Sequence, residues 1–167
     1  MGEVRFVLVG GWPGSGKTTL AQALAPELGL GYLGKDVLKE QLMAELGDPA
    51  DVEASRRLGA TAARVLLRLA AGLPGAVLDS TWYDYARPLV DALPGVTVEV
   101  RCLVPRALAE ERYRARRRGA GHLDDLRSPD ELWRGPVHPL GVGPLIEVDT
   151  SAAVDVVRLA RQIREAR

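Results

Sequence analysis

The sequence predicts an α/β protein: a parallel five-stranded sheet held between two layers of helices, α/β/α, with a small lid segment. Three observations carry this. Short apolar runs alternate with helical periodicities along the whole chain, the pattern of strands joined by crossover helices. The first run ends in Gly-x4-Gly-Lys-Thr, a glycine-rich turn that leads from a strand into a helix. The composition is that of an ordinary globular chain, with 167 residues, 47% apolar and 26% charged.

The elements follow in order. Arg5 to Gly10 (RFVLVG) is a short apolar run that suits a buried parallel strand. Gly16 to Leu28 reads as a helix with Leu20, Leu24 and Leu28 on one face. Tyr32 and Leu33 suit a short second strand between glycines. Asp36 to Leu46 is helical, with Asp36 as a good N-cap. Asp51 to Ala71 is a longer helix with an apolar stripe through Leu58, Ala62, Val65, Leu66 and Leu69. Ala76 to Asp79 is a buried strand after the turn Leu73-Pro74-Gly75. A short helix is expected over Tyr85 to Leu93 and a strand over Thr97 to Val104. Pro105 opens a helix expected to run to about Arg118. Residues 119–144, rich in Gly, Pro and His, are the least regular part. Leu145 to Asp149 is a last strand and Ala153 to Ala166 a closing helix. No repeat or linker divides the chain, so residues 1–167 read as one domain, with a lid at about 112–135.

Lys+Arg and Asp+Glu balance at 22 each, so overall charge points neither to nucleic acid nor to an anionic membrane. Cys102 is the only cysteine, sits in an apolar run and reads as a buried thiol. The opening apolar run is short for a signal peptide, and no stretch nears the ~18 apolar residues of a membrane span. The expectation is a cytoplasmic protein.

Gly11-Trp12-Pro13-Gly14-Ser15-Gly16-Lys17-Thr18 matches the phosphate-loop pattern in full, with a strand before it and a helix after it. Glycines let backbone N–H groups turn inward on phosphate oxygens, beside the positive end of a helix. The nucleotide-binding residues are therefore Gly11, Pro13, Gly14, Ser15, Gly16, Lys17, Thr18 and Thr19. Lys17 should reach the β- and γ-phosphates of ATP, and the Thr18 hydroxyl should ligate Mg2+. Trp12 either packs over the loop or lines the acceptor pocket.

With these residues in place, the sequence resembles the small P-loop kinases, which include adenylate, shikimate and gluconate kinases, chloramphenicol phosphotransferase and the kinase domain of phage polynucleotide kinase. The resemblance spans nearly the whole chain in element order. It implies an ATP-dependent phosphotransferase that acts on an alcohol group. Gly34-Lys35-Asp36-Val37-Leu38-Lys39 looks like the segment that faces the acceptor in the polynucleotide and chloramphenicol enzymes. Carried over, Asp36 is the general base and Lys39 an acceptor contact; capping of its helix is a compatible role for Asp36. Val77-Leu78-Asp79 looks like a Walker B strand, so Asp79 joins Thr18 at the metal or orients the acceptor. By the same resemblance Ser80, Thr81, Trp82 and Tyr83 line the acceptor pocket, and Arg87 is an acceptor contact.

Arg112, Arg114, Arg116, Arg117 and Arg118 cluster at the end of one expected helix. In the family, arginines there close over the phosphates and stabilise transition-state charge. The resemblance assigns this to Arg112 or Arg116, with Gly119-Ala120-Gly121-His122 giving the lid its flexibility. Thr150, after the last strand, is expected to meet the nucleotide base through its backbone, with Asp149 and Ser151 capping the final helix. The segment between Asp36 and Ala71 mixes charges and shows no aromatic-basic alternation, so a small-molecule hydroxyl acceptor is the first expectation. A polynucleotide 5′-hydroxyl kinase and a nucleotide-binding regulatory module with no second substrate are the alternatives.

Overall fold

The computed structural model describes residues 4–116, 118–133 and 138–166. Arg117 of the arginine cluster and residues 134 and 135 of the expected lid lie outside them. Five strands, β1 (Val4–Gly10), β2 (Gly31–Gly34), β3 (Ala76–Asp79), β4 (Val96–Leu103) and β5 (Leu145–Asp149), form one sheet in the order β2-β3-β1-β4-β5. Every neighbouring pair is parallel, with Val7 opposite Val77 on one side and Val98 on the other.

Alternation along β1 divides the core. Val7 and Val9 face the layer of α1 (Lys17–Leu28) and α7 (Val156–Glu165), where Leu24, Val77, Val100 and Ile163 pack. Phe6 and Leu8 face the layer of α3 (Val52–Ala70) and α4 (Arg87–Asp91), with Leu66, Leu67, Leu78 and Val90. Helix α2 (Lys35–Leu46) leads from β2 towards α3. A third cluster of Ala109, Tyr113 and Trp133 joins α5 (Arg106–Ala115) to α6 (Pro129–Trp133), and Trp12 packs against it. Packing is thus the role that the structure gives Trp12. Buried Glu99 on β4 accepts the backbone N–H groups of Leu140 and Val142, which ties the segment before β5 to the sheet.

Several boundaries differ from expectation. Helix α2 starts at Lys35 with Gly34 as its N-cap, so Asp36 lies in the first turn and caps nothing. Helix α5 stops at Ala115, and Arg116 is extended. The side chains explain this: Arg116 stacks on Tyr113 with 4.2 Å to the ring centroid, and Arg118 is held by Asp36 and Asp124. Those contacts outweigh the few tenths of a kcal/mol per residue that helix propensity offers. Residues 119–133 are more ordered than their composition suggests, with 3-10 turns at Ala120–His122 and Asp124–Leu126 and then α6. Ser128 caps α6 by accepting the Glu131 N–H, a Ser-x-x-Glu capping signal. Helix α7 is capped by Asp155, whose carboxylate accepts the Arg158 N–H. Asp149 and Ser151 instead bond to each other.

Candidate active site

The phosphate loop links β1 to α1. Gly14 and Gly16 both have positive φ, 79° and 83°. At Gly14 a Cβ would also collide with the Ala109 carbonyl oxygen, so only glycine lets the loop lie against α5. Two struts hold the loop from outside, and one bond closes it from within. The Thr150 hydroxyl donates to the Ser15 carbonyl at 2.6 Å, Trp133 Nε1 donates to the Pro13 carbonyl at 3.2 Å, and Ser15 N–H bonds the Trp12 carbonyl. Lys17 is buried at the start of α1, where desolvation lowers its pKa against the pull of Asp79 and Asp36. Thr19 follows on the exposed side of α1.

Asp79 ends β3 beside this loop. Its Oδ2 accepts from the Thr18 hydroxyl at 2.6 Å and from the Tyr32 hydroxyl at 3.0 Å. Burial and the neighbouring Asp79 raise the Tyr32 pKa, so the phenol stays a donor. Gly34 makes this possible, because a Cβ there would strike the Tyr32 hydroxyl. Asp79 Oδ1 is buried and has no hydrogen-bond partner, as do Ser15 Oγ and Arg116 Nε. Orphaned buried polar atoms are rare and need an explanation. A triphosphate with Mg2+ supplies one: the Thr18 hydroxyl and Asp79 offer oxygen donors that suit this hard ion. Among the described residues no group of three or more His, Cys, Asp or Glu side chains is arranged to hold a metal, so an ion here takes its remaining ligands from phosphate and water.

In front of Lys17 and Asp79 lies a cavity of about 400 Å³, walled by α2, α3 and the lid segment. Asp36 faces it. Burial alone would raise its carboxyl pKa, but Lys35 at 2.6 Å and Arg118 at 3.0 Å hold it well below the usual carboxylate range. Arg116 also lines the cavity; burial and Arg118 lower its pKa. Lys39 is 3% exposed and donates to Ser55 Oγ at 2.6 Å. Burial and the charges of Lys35 and Arg127 push its pKa down to about 8.

The structure brings Lys17, Thr18, Asp36, Lys39, Asp79, Thr81 and Arg116 to this one cavity, with Ser80 and Tyr83. It separates four others. Arg112 donates to the carbonyls of Thr150 and Ser151 at 2.9 and 3.2 Å, so its guanidinium braces the loop after β5 rather than lining the cavity. Arg116 leaves that helical face because α5 ends before it. Thr150 has both backbone groups occupied, its N–H by Leu103 and its carbonyl by Arg112, so it supports the phosphate loop from behind. Trp82 is core, donating to the Val9 carbonyl at 3.1 Å. Arg87 points to solvent and pairs with Asp91 on its own helix. Cys102 is buried and its thiol is pushed up to about 12, so it is inert.

Sequence reasoning missed Tyr32, Ser55, Arg118 and Arg127. Arg118 fixes Asp36, and Arg127 meets Ser55 at 3.3 Å. Their partners are 47 to 82 residues away, beyond any local pattern.

A strand order with β1 central, the loop that follows it and an aspartate ending β3 make this the fold of the small P-loop kinases. Residues 6–128 match the family described as AAA domain, and the chain belongs to that family. It is 30% identical to a protein of Chloroflexus aurantiacus J-10-fl that is provisionally described as a kinase. The two structures align over 99% of each chain with a TM-score of 0.84. The APS kinase of Mycobacterium tuberculosis is 20% identical, covering 99% of this chain and 98% of that one at a TM-score of 0.59. A gluconokinase of Sinorhizobium meliloti 1021 is 18% identical, covering 98% and 90% at 0.58. At those two identities the likeness concerns the fold alone. No curated protein sequence matches the chain. No helix among the described residues is long and apolar enough to cross a membrane.

Proposed function

We propose that this protein transfers the γ-phosphoryl group of Mg-ATP to a hydroxyl of a small acceptor, in the cytoplasm. The observation that carries the reading is the shared cavity: Lys17 and Arg116, suited to phosphate charge, and the Asp36 carboxylate open on the same roughly 400 Å³ space. That volume suits a small molecule.

Backbone N–H groups of Gly14 and of residues 16–18 at the helix N-terminus hold the phosphates in line with the acceptor. Magnesium, when bound at Thr18 and Asp79, neutralises charge on the phosphate oxygens. Lys17 and Arg116 supply fixed positive charge where the transferring group becomes most negative. Asp36 accepts a hydrogen bond from the acceptor hydroxyl and points its oxygen at the phosphorus. Held far below the usual carboxylate range, Asp36 is a weak base. Proton transfer to it therefore comes late, which a loose transition state tolerates. Tyr32 and Arg118 are positioning residues, one for Asp79 and one for Asp36.

The test is incubation of the protein with γ-labelled ATP, magnesium and pooled hydroxyl compounds, with an oligonucleotide arm. Label in a small molecule supports the reading. Label in the oligonucleotide favours polynucleotide 5′-hydroxyl transfer, and hydrolysis that no acceptor changes favours a nucleotide-binding regulatory module.

A further inference from the structure

We infer that the acceptor is a hydroxylated anion, whose carboxylate or phosphate monoester sits against Lys39 and Arg127 while its hydroxyl lies at Asp36. This rests on the kinase reading above and names the substrate class of that site.

Most cations of the cavity are already neutralised. Lys35 pairs with Asp36, and Arg118 with Asp36 and Asp124. Arg56 and Arg127 share Glu131, at 2.7 and 2.9 Å, and Arg56 also pairs with Glu53 at 3.7 Å. Lys17 and Arg116 lie on the phosphate side. Lys39 remains, on the far side, and among the described residues no carboxylate is within ion-pair distance of it. Its side chain is almost wholly buried, and its one hydrogen bond goes to the Ser55 hydroxyl. Ser55 has nothing more to give: its oxygen accepts from Lys39 and Arg127, and its proton goes to the Gly121 carbonyl. The ammonium has three N–H donors and one hydrogen bond to the protein, and Lys39 lines the cavity, so a ligand there can take the donors left over. A buried, unpaired cation is costly, and a fold retains one where a ligand neutralises it.

Spacing narrows the ligand. Asp36 and Lys39 are three residues apart on α2 and so share a face, ~5–6 Å apart at Cβ. An acceptor that reaches both has its anion some three or four bonds from the accepting hydroxyl. Neutral sugars and nucleosides can accept hydrogen bonds from the ammonium but leave its charge uncompensated.

The experiment has an activity arm and a binding arm. In the first, label transfer is compared for hydroxy acids, sugar phosphates and their neutral counterparts, with wild type and Lys39→Met. The expected result is a kcat/KM preference of roughly 10–100-fold for one anionic class, the value of one or two charge-assisted hydrogen bonds. Lys39→Met removes that preference and leaves the KM for ATP unchanged. Which anionic pool is used tells carboxylate from phosphate. Transfer to neutral acceptors at least as good as to anionic ones overturns the proposal while the kinase reading stands.

In the second arm, the lysine side-chain NMR signals of the protein saturated with Mg-AMPPNP are titrated with acetate, inorganic phosphate and glycerol. An upward move of the Lys39 midpoint with either anion, and none with glycerol, supports the site even if no pool is phosphorylated. No move with either anion overturns it. Stability separates a structural role from a receptor role. A receptor lysine replaced by methionine keeps or gains thermal stability while it loses the anion; a drop in stability with the anion response retained rejects the assignment.

Discussion

At the scale of single residues, the site sets an uncommon combination on Asp36: a carboxylate that faces the cavity yet is strongly stabilised as an anion. Asp36→Asn keeps the shape and loses the charge, so kcat should fall by a factor on the order of 10² while nucleotide affinity holds. Steady-state kinetics with a measured nucleotide Kd checks this; near-normal turnover would remove Asp36 from the mechanism. Arg118→Met tests the stabilisation itself. With Arg118 gone, the burial that raises the Asp36 pKa loses one of its two strongest opponents, the other being Lys35. The carboxyl pKa then rises, protonation begins at higher pH, and the acid limb of the kcat profile moves upward. An acid limb identical to wild type would show that Arg118 does not act through Asp36. Lys17, Thr18 and Asp79 were legible in the sequence because a loop motif and a strand end place them locally. Tyr32 and Arg118 were not, since each is defined by one long-range hydrogen bond and carries no signal of its own.

At the scale of elements, periodicity located the five strands and the main helices, because core faces repeat along β1, α1, α3 and α7. It failed where tertiary contacts fixed an end. The arginine run after α5 has a helical pattern, yet Tyr113 and Asp124 draw its side chains out of register. The opposite error occurred in the lid, where glycines and prolines masked a short helix that Ser128 and Glu131 did signal. Glu99 is the element-scale test. Its two oxygens accept from Leu140 and Val142 at 2.7 and 2.9 Å, and an amide offers only one acceptor oxygen. Glu99→Gln should therefore cost about 2 kcal/mol, or ~4–8 °C in Tm by calorimetry. A smaller loss would mean that packing of Leu140, not the carboxylate, holds the segment before β5.

At the scale of the whole molecule, the two sides of the site are built differently. The nucleotide side is tied by bonds to backbone carbonyls, from Thr150, Trp133 and Arg112. The acceptor side is held by ion pairs between α2, α3 and the lid segment. A loop already tied down loses little entropy when phosphate enters. Mg-AMPPNP at about 100 times its Kd should then raise the unfolding free energy by ~2.7 kcal/mol. Chelating the metal should remove most of that gain, because Thr18 and Asp79 would lose the charge that links them to the phosphates. Urea unfolding with and without a chelator measures it, and an equal gain without metal would reject the Thr18–Asp79 site.

The strand order has a consequence for how the chain is made. The ribosome releases β1 before the other four strands of the sheet, but the neighbours of β1 are β3 and β4. Until Ala76 and then Val96 emerge, the first strand has no partner. At ~5–20 residues per second that wait lasts several seconds. The phosphate loop is synthesised well before its outer strut, Thr150, which lies 135 residues beyond Ser15. Nascent chains stalled before β5 should therefore be cut readily by protease whether or not nucleotide is present, and protection by nucleotide should begin only once the β5 segment is clear of the exit tunnel.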